Sequence, residues 1–235
     1  MDIHRDIAAW RAFRQAREAE AGVWTAGFVP TLGGLHDGHR SLIDRSLADN
    51  SSTVVSVFLN PAQFDQQADL DAYPARLEED LEKLDAWGVD HVLLPTAEAI
   101  YPDAYRYRVT ENDLSRRFCG AHRPGHFDGV LTVVLRLLNL VRPARAYFGE
   151  KDWQQLALVR GMVEAFFLDV EIVACPVVRE DTGLALSSRN ARLDDEQRAL
   201  APELVRTLRL ESSPADATRR LQSLGFDVDL SLIHI

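Results

Sequence analysis

Lysine is almost missing from this chain. Lys83 and Lys151 are the only two among 26 basic residues, against 36 acidic ones, and the net charge is −10. That balance argues against a nucleic-acid surface, which needs a dense basic patch to displace counterions from phosphate. It also makes lysine positions informative, because an acidic protein that binds a nucleotide has to concentrate positive charge where the phosphates sit. Cysteine is as scarce: Cys119 and Cys175 are too few for a disulfide framework, so a reduced, cytoplasmic protein is expected. Long apolar runs are lacking too. The aliphatic stretch from Val130 to Val141 is short and contains Arg136, which fits a buried helix and not a membrane span. Met1 to Glu20 is charged and amphipathic, without the apolar centre of a signal peptide. Internal repeats and low-complexity tracts are absent.

What is present is ordinary for a soluble globular protein, 46% apolar and 26% charged over 235 residues, enough for one large domain and a smaller one. Strand-like and helix-like segments alternate. Val23–Val29 and Thr53–Leu59 read as buried strands, with a helix starting near Gly38 between them. Leu77–Trp87 reads as a helix stopped by Gly88, followed by a short strand at Val92–Leu94. Helical spacing at Thr132–Leu140 precedes a strand at Ala146–Phe148, a helix over Asp152–Phe166 and a strand at Val170–Ala174. This β-α-β alternation predicts an α/β fold with a parallel, doubly wound sheet and ligands at the carboxyl ends of its strands. Past Pro176 come a turn at Arg179–Gly183, a polar loop at Ser187–Asn190 and two amphipathic helices, near Asp194–Leu208 and Pro214–Leu224. A boundary is expected there, with residues 1–176 as the sheet domain and 177–235 as the smaller one.

The segment richest in chemistry is His36-Asp37-Gly38-His39. It follows an apolar strand and the turn Pro30-Thr31-Leu32-Gly33-Gly34, and helical spacing resumes from Ser41 to Leu47. A strand, a glycine loop and a helix N-terminus together cradle phosphate, with backbone N–H groups and the helix dipole facing the anion. Two histidines three apart share one face of the first helical turn and can reach one bound group. A bare H-x-G-H also occurs as turn filler; the strand and glycine turn before it favour nucleotide binding.

Other strand ends carry polar groups. Phe58-Leu59-Asn60-Pro61-Ala62-Gln63-Phe64 places an Asn and a Gln at a rim. Their side chains both donate and accept, which suits a hydroxyl or carboxylate ligand, although a plain turn accounts for them equally. Arg123-Pro124-Gly125-His126-Phe127 holds a fixed cation and a histidine in a loop; Arg123 suits a carboxylate, or is an ordinary surface arginine. Phe148-Gly149-Glu150-Lys151-Asp152 again runs from strand to helix, and Gln154 and Gln155 open that helix. Lys151 there suits a phosphate and Asp152 a ribose hydroxyl, unless Asp152 is a helix cap and Lys151 is solvated. Leu186-Ser187-Ser188-Arg189 adds two hydroxyls and a guanidinium that suit the far phosphates of a triphosphate.

Val29–His39, Asn60–Phe64, Arg123–Phe127, Phe148–Gln155 and Ser187–Asn190 resemble the blocks of the pantothenate synthetase (pantoate–β-alanine ligase) family, in that family's order and spacing, from about residue 20 to 195. Each block is short, but together in register they are specific. The resemblance implies a Rossmann-like fold of the H-x-G-H nucleotidyltransferase type, with a smaller C-terminal α+β domain. It implies an ATP-dependent ligase that makes pantoyl-adenylate and then transfers the pantoyl group to β-alanine, releasing AMP and pyrophosphate. Leu32, Gly33, Gly34, Leu35, His36, Asp37, Gly38 and His39 would line the ATP site, with His39 as proton donor and His36 its companion. Gly149, Glu150, Lys151 and Asp152 would continue it, Lys151 as a catalytic cation on the phosphates and Asp152 at the ribose. Val178, Leu186, Ser187, Ser188 and Arg189 would complete it from the second domain, with residues 186–190 as a closing loop. Gln63 and Gln155 would grip pantoate, Gln63 also meeting β-alanine, with Asn60 and Arg123 counted as substrate-binding beside them. Asp80 matches an acidic position tied to a Mg²⁺ site. A homodimer through the larger domain is implied, with small-molecule partners and neither nucleic acid nor membrane.

The chain departs from the family pattern in three places. Leu32 stands where methionine is usual, Gly34 where alanine is usual, and Tyr73-Pro74-Ala75-Arg76 lacks the arginine directly after its proline, leaving Arg76 to compensate or not. At the C-terminus, Phe226-Asp227-Val228-Asp229 reads as the start of a strand, and Leu230 to Ile235 match one reading frame of a common sequencing adapter. A shortened C-terminal domain is the expectation. Two other readings stay open at this point: an H-x-G-H nucleotidyltransferase with a different acceptor, and an ATP-binding fragment with little turnover.

Overall fold

In a computed structural model of the chain, residues 1–20, 25–64, 67–73 and 76–228 are described. Their strands are β1 (Asp2–His4), β2 (Ala26–Thr31), β3 (Ser52–Val57), β4 (His91–Leu93), β5 (Arg145–Gly149) and β6 (Glu171–Cys175). They form one parallel sheet in the order β1-β4-β3-β2-β5-β6. The chain winds from β2 through β3 to β4, then returns to lay β5 along the other side of β2. β2 and β5 thus flank the point where the winding reverses, and in such sheets the ligand crevice opens at the carboxyl ends of that point. The expected α/β doubly wound sheet is what forms. β1 was not expected; the charged, amphipathic N-terminal segment gives residues 2–4 to an edge strand beside β4 before the helix Ile7–Glu20 begins.

Both faces of the sheet are covered, which explains why its strands read as near-continuous apolar runs instead of alternating ones. Phe28 pairs with Val54 and Val29 with Val55, and successive residues point to opposite faces. Phe28 and Val54 join Trp10, Leu131, Val134, Leu138 and Val159 in a core under the helices Ile7–Glu20, His126–Val141 and Trp153–Ala165. Val29 and Val55 join Ile43, Leu84 and Val92 under the helices Asp37–Asp49 and Leu77–Ala86. Trp10 seals the first core, its indole Nε1–H donating to the Leu140 carbonyl at 2.9 Å.

Element bounds differ from the sequence expectation where glycine or proline misleads. The helix expected at Thr132–Leu140 starts at His126, because Gly125 takes the left-handed conformation (φ +81°) and turns the chain into it. Past β6, Arg179 and Ala185 form an antiparallel bridge. The single helix expected at Asp194–Leu208 is two, Asp195–Leu200 and Pro202–Leu210, divided where proline lacks an N–H and opens a new first turn. A further helix spans Pro214–Ser223. Val23 and Trp24, Pro74 and Ala75, and the tail from Asp229 to Ile235, on which expectations were placed, lie outside the described residues. Among the described residues no helix is long and apolar enough to cross a membrane.

Candidate active site

The candidate site at the β2–β5 junction is built first from a loop. After Thr31, Gly33 (φ +88°) and Gly34 (φ +67°) both adopt a backbone that a side chain would strain. Three groups hold this turn from below. Asp80 accepts hydrogen bonds from the Gly34 N–H through one oxygen and the Leu35 N–H through the other, both at 2.8 Å. Lys83 donates to the Leu35 carbonyl at 2.7 Å, and the Tyr73 hydroxyl donates to the Gly33 carbonyl at 3.1 Å. Asp80 is 1% exposed. The resemblance ties it to Mg²⁺; in the structure both of its oxygens accept from backbone N–H groups, so it anchors the loop. Arg76 points elsewhere, pairing with Glu79 in solvent.

His36 caps the following helix. Its Nδ1 accepts from the Gly38 N–H at 3.1 Å, while its backbone N–H donates to the His39 Nδ1 at 3.3 Å, a reciprocal capping box with imidazoles in both roles. The consequence is chemical. Each ring has Nδ1 committed as an acceptor, so each neutral imidazole carries its proton on Nε2 and presents a donor outward. The rings lie 4.2 Å apart between centroids. Burial, then the neighbouring His36 and the ammonium groups of Lys151 and Lys83, push the His39 pKa down to about 3; burial and Lys151 lower that of His36 as well. His39 is thus neutral at physiological pH. The expected proton donor is a neutral hydrogen-bond donor in a field of positive charge that an anion would relieve.

That field comes from the next strand over. β5 ends at Gly149, and Lys151 follows in a short turn before the helix Trp153–Ala165, exposed and 3.6 Å from the Asp152 carboxylate. Because β5 lies beside β2, Lys151 is close enough to depress both histidines. Asp152 makes no capping hydrogen bond to the helix it precedes, so the plain cap reading fails. Glu150 and Asp152 are exposed at the same strand end.

A second constellation surrounds Gln63. Asn60 is fully buried: its amide donates to the Gln63 Oε1 at 3.0 Å and the Gly129 carbonyl at 3.2 Å, while its own oxygen accepts from the Tyr101 hydroxyl at 2.7 Å and the Ala62 N–H at 3.3 Å. Asn60 thus orients the Gln63 amide so that its NH₂ end faces away. Gly129 makes this possible, since a Cβ there would lie 2.2 Å from the Ala62 carbonyl oxygen. His126 contacts the Gln63 carbonyl at 2.7 Å through Nδ1 and Arg123 at 3.4 Å through Nε2. A cavity of about 150 Å³ opens here, lined by Gln63, Arg108, His126 and Asp128 among others. Gln155, half-buried, sits in the first turn of the helix that follows Lys151.

Residues 178–189 approach from the far side. The Leu186 N–H donates to the Val178 carbonyl at 3.0 Å. Leu186 lies against Gly38, where an added Cβ would meet its Cβ at 3.7 Å. The Ser187 side chain caps the short turn Ser188–Arg192 by accepting from the Arg189 N–H at 3.2 Å, and the Ser188 hydroxyl meets the Tyr73 hydroxyl at 3.5 Å. Arg189 pairs with Asp69 at 2.9 Å, and Arg192 with the other oxygen of the same carboxylate at 3.0 Å.

Four contributors escaped the sequence reading: Lys83, Tyr73, Asp69 and Gln154. Lys83 carried a signal, as one of two lysines. Gln154 carried none beyond its neighbour. It is buried, accepts from the Cys119 N–H at 3.1 Å, and donates to the Leu114 and Arg117 carbonyls, both at 2.8 Å. These bonds bracket Phe118, whose φ of +49° is strained for a residue with a side chain, and fix the segment leading to Arg123.

Comparison with known proteins agrees with this geometry. The sequence model of the pantoate-beta-alanine ligase family matches residues 2–228. A pantothenate synthetase of Bdellovibrio bacteriovorus is 49% identical over 217 residues, covering 92% of this chain and 86% of that protein. One of Legionella pneumophila is 47% identical over 229 residues, covering 97% and 90%. In structure, the pantoate-beta-alanine ligase of Francisella tularensis, solved in complex with beta-gamma ATP and beta-alanine, superposes with a TM-score of 0.89 at 37% identity, covering 96% of this chain and 86% of that one. Pantothenate synthetase of Thermus thermophilus gives 0.84 at 44% identity, covering 95% and 82%.

Proposed function

The chain belongs to the pantoate–beta-alanine ligase family, and from that premise we propose that it condenses pantoate with β-alanine using ATP, through a pantoyl-adenylate. A carboxylate is a poor electrophile, and joining it to an amine in water is uphill. ATP removes the obstacle: a pantoate carboxylate oxygen attacks the α-phosphorus, the bond to pyrophosphate breaks, and a mixed anhydride with AMP forms. The β-alanine amine, in its neutral form, then attacks the acyl carbon, an amide forms and AMP leaves with the bonding electrons.

The first step brings two anions together, so the site has to supply positive charge and donors that are already in place. The observation that carries the proposal is the convergence of the His36 and His39 Nε2–H donors from β2 with Lys151 from β5, above a glycine loop pinned by Asp80 and Lys83. Gly33 to Gly38 and Gly149 to Asp152 hold the nucleotide, with Asp152 at the ribose. Gln63 and Gln155 bind pantoate, and Arg123, fixed by His126, stands beside them. Asp80 does not fit as a Mg²⁺ ligand. The positive charge that the chain itself brings comes from Lys151, Lys83 and Arg189.

Residues 177–228 act as a lid on the sheet domain. Arg189, paired with Asp69, exchanges that carboxylate for phosphate when ATP enters, which shuts the crevice and keeps water from the anhydride. The protein works in the cytoplasm as a homodimer built through the sheet domain. The experiment is an incubation with ATP, Mg²⁺, pantoate and β-alanine followed by chromatography of nucleotides. AMP that requires both acid and amine supports this reading. AMP formed with another acid, or with pantoate absent, favours a nucleotidyltransferase with a different acceptor.

A further inference from the structure

We propose that Asp2, His4 and His91 form a binding site for a divalent transition-metal ion of the zinc type, at the β1 edge of the sheet and apart from the nucleotide crevice. Asp2 and His91 stand at the amino ends of β1 and β4, whereas the crevice lies at the carboxyl ends of β2 and β5. Among the described residues this is the only grouping of three His, Cys, Asp or Glu side chains whose ligand atoms all lie within 4.8 Å of one another.

Strand register builds the site. β1 pairs in parallel with β4 so that Asp2 lies opposite His91 and His4 opposite Leu93. Residues two apart on a strand share a face, which puts Asp2, His4 and His91 on the same side of the sheet. The His4 Nε2 and His91 Nδ1 are 3.4 Å apart, and the His91 Nδ1 and an Asp2 carboxylate oxygen 3.6 Å. Tetrahedral ligands about 2.0–2.1 Å from zinc are themselves roughly 3.3–3.4 Å apart. The two imidazole nitrogens already have that spacing.

The rings are held in place. Trp10 packs edge-on against His4 at 4.8 Å between centroids, and Phe13 packs against His91 at 4.8 Å, so neither ligand has to give up much freedom on binding. A plain imidazole-to-imidazole hydrogen bond would explain the 3.4 Å contact but not the carboxylate that completes the triangle. Asp2 is exposed, which leaves a solvent path and a fourth position for water. Two imidazoles with one carboxylate suit zinc and its neighbours, not magnesium or calcium. The ion would staple a three-residue edge strand to the sheet.

The test is calorimetric titration of the full chain with Zn²⁺ alone, repeated on His4→Gln and Asp2→Asn, with Co²⁺ absorption as an independent reading of tetrahedral geometry. Asp2 is exposed and His4 only half-buried, so both variants are expected to fold, and circular dichroism checks this. Saturable binding of one ion, weakened at least about tenfold in His4→Gln and measurably in Asp2→Asn, with ligase activity unchanged in both, is the expected result. No saturable binding by the parent chain overturns the proposal. So does binding as strong in both variants as in the parent chain, which would place the ion elsewhere, for example on His36 and His39.

Discussion

At the scale of single residues, the account turns on which nitrogen of each histidine carries the proton. The capping box commits both Nδ1 atoms to backbone N–H groups, so each neutral ring carries its proton on Nε2. Glutamine at position 39 preserves the cap, since it also accepts at that helical position, yet removes the imidazole. His39→Gln is therefore expected to fold normally and to lose about 10²–10³ in turnover, and Lys151→Ala to behave alike, as measured by steady-state AMP release with circular dichroism as the folding control. The same variant tests the charge state. The folded pKa of His39, about 3, lies below the ordinary value of 6.5, so between those values the unfolded chain binds more protons than the native one. The stabilising contribution is complete above pH 6.5 and drains away as pH falls toward 3. Urea midpoints measured across that range should drop less steeply in His39→Gln than in the parent; parallel curves would contradict the neutral assignment.

At the scale of elements, the sequence was clearest where a motif is contiguous. His36 to His39 and Gly149 to Asp152 each announce a strand end by glycine and charge. What stayed illegible were the supports, because Asp80, Lys83 and Tyr73 reach the glycine loop from more than 35 positions away and local spacing holds no record of that. Asn60 shows the same limit: its residue type suggested a ligand contact, but only its burial reveals that it serves Gln63. Asp80→Asn distinguishes anchor from metal ligand. An amide offers one acceptor where the loop needs two, so a loss of about 1–3 kcal/mol in stability is expected by urea denaturation, with a raised KM for ATP. Excess Mg²⁺ should leave both defects as they are; recovery of ATP affinity at high Mg²⁺ would return Asp80 to the metal.

At the scale of the whole molecule, topology unites what the sequence lists far apart. The winding reverses between β2 and β5, so the segments carrying residues 36–39 and 151 leave adjacent strands without any local signal of it. The fold class was legible because alternating buried strands and helices leave few arrangements of a parallel sheet. The edge strand β1 was not, being three residues long inside a charged segment. Association of two sheet domains predicts a mass in sedimentation equilibrium of twice 26.4 kDa; a single species at the chain mass would refute the dimer.

The central claim is that one crevice activates a carboxylate by transferring AMP to it, using imidazole donors from β2 and an ammonium from β5. Isotope exchange between pyrophosphate and ATP measures that half-reaction alone, before any amine is present. The account predicts exchange that needs pantoate, proceeds without β-alanine, and vanishes in both His39→Gln and Lys151→Ala. Exchange that ignores pantoate, or that survives in either variant, would contradict it.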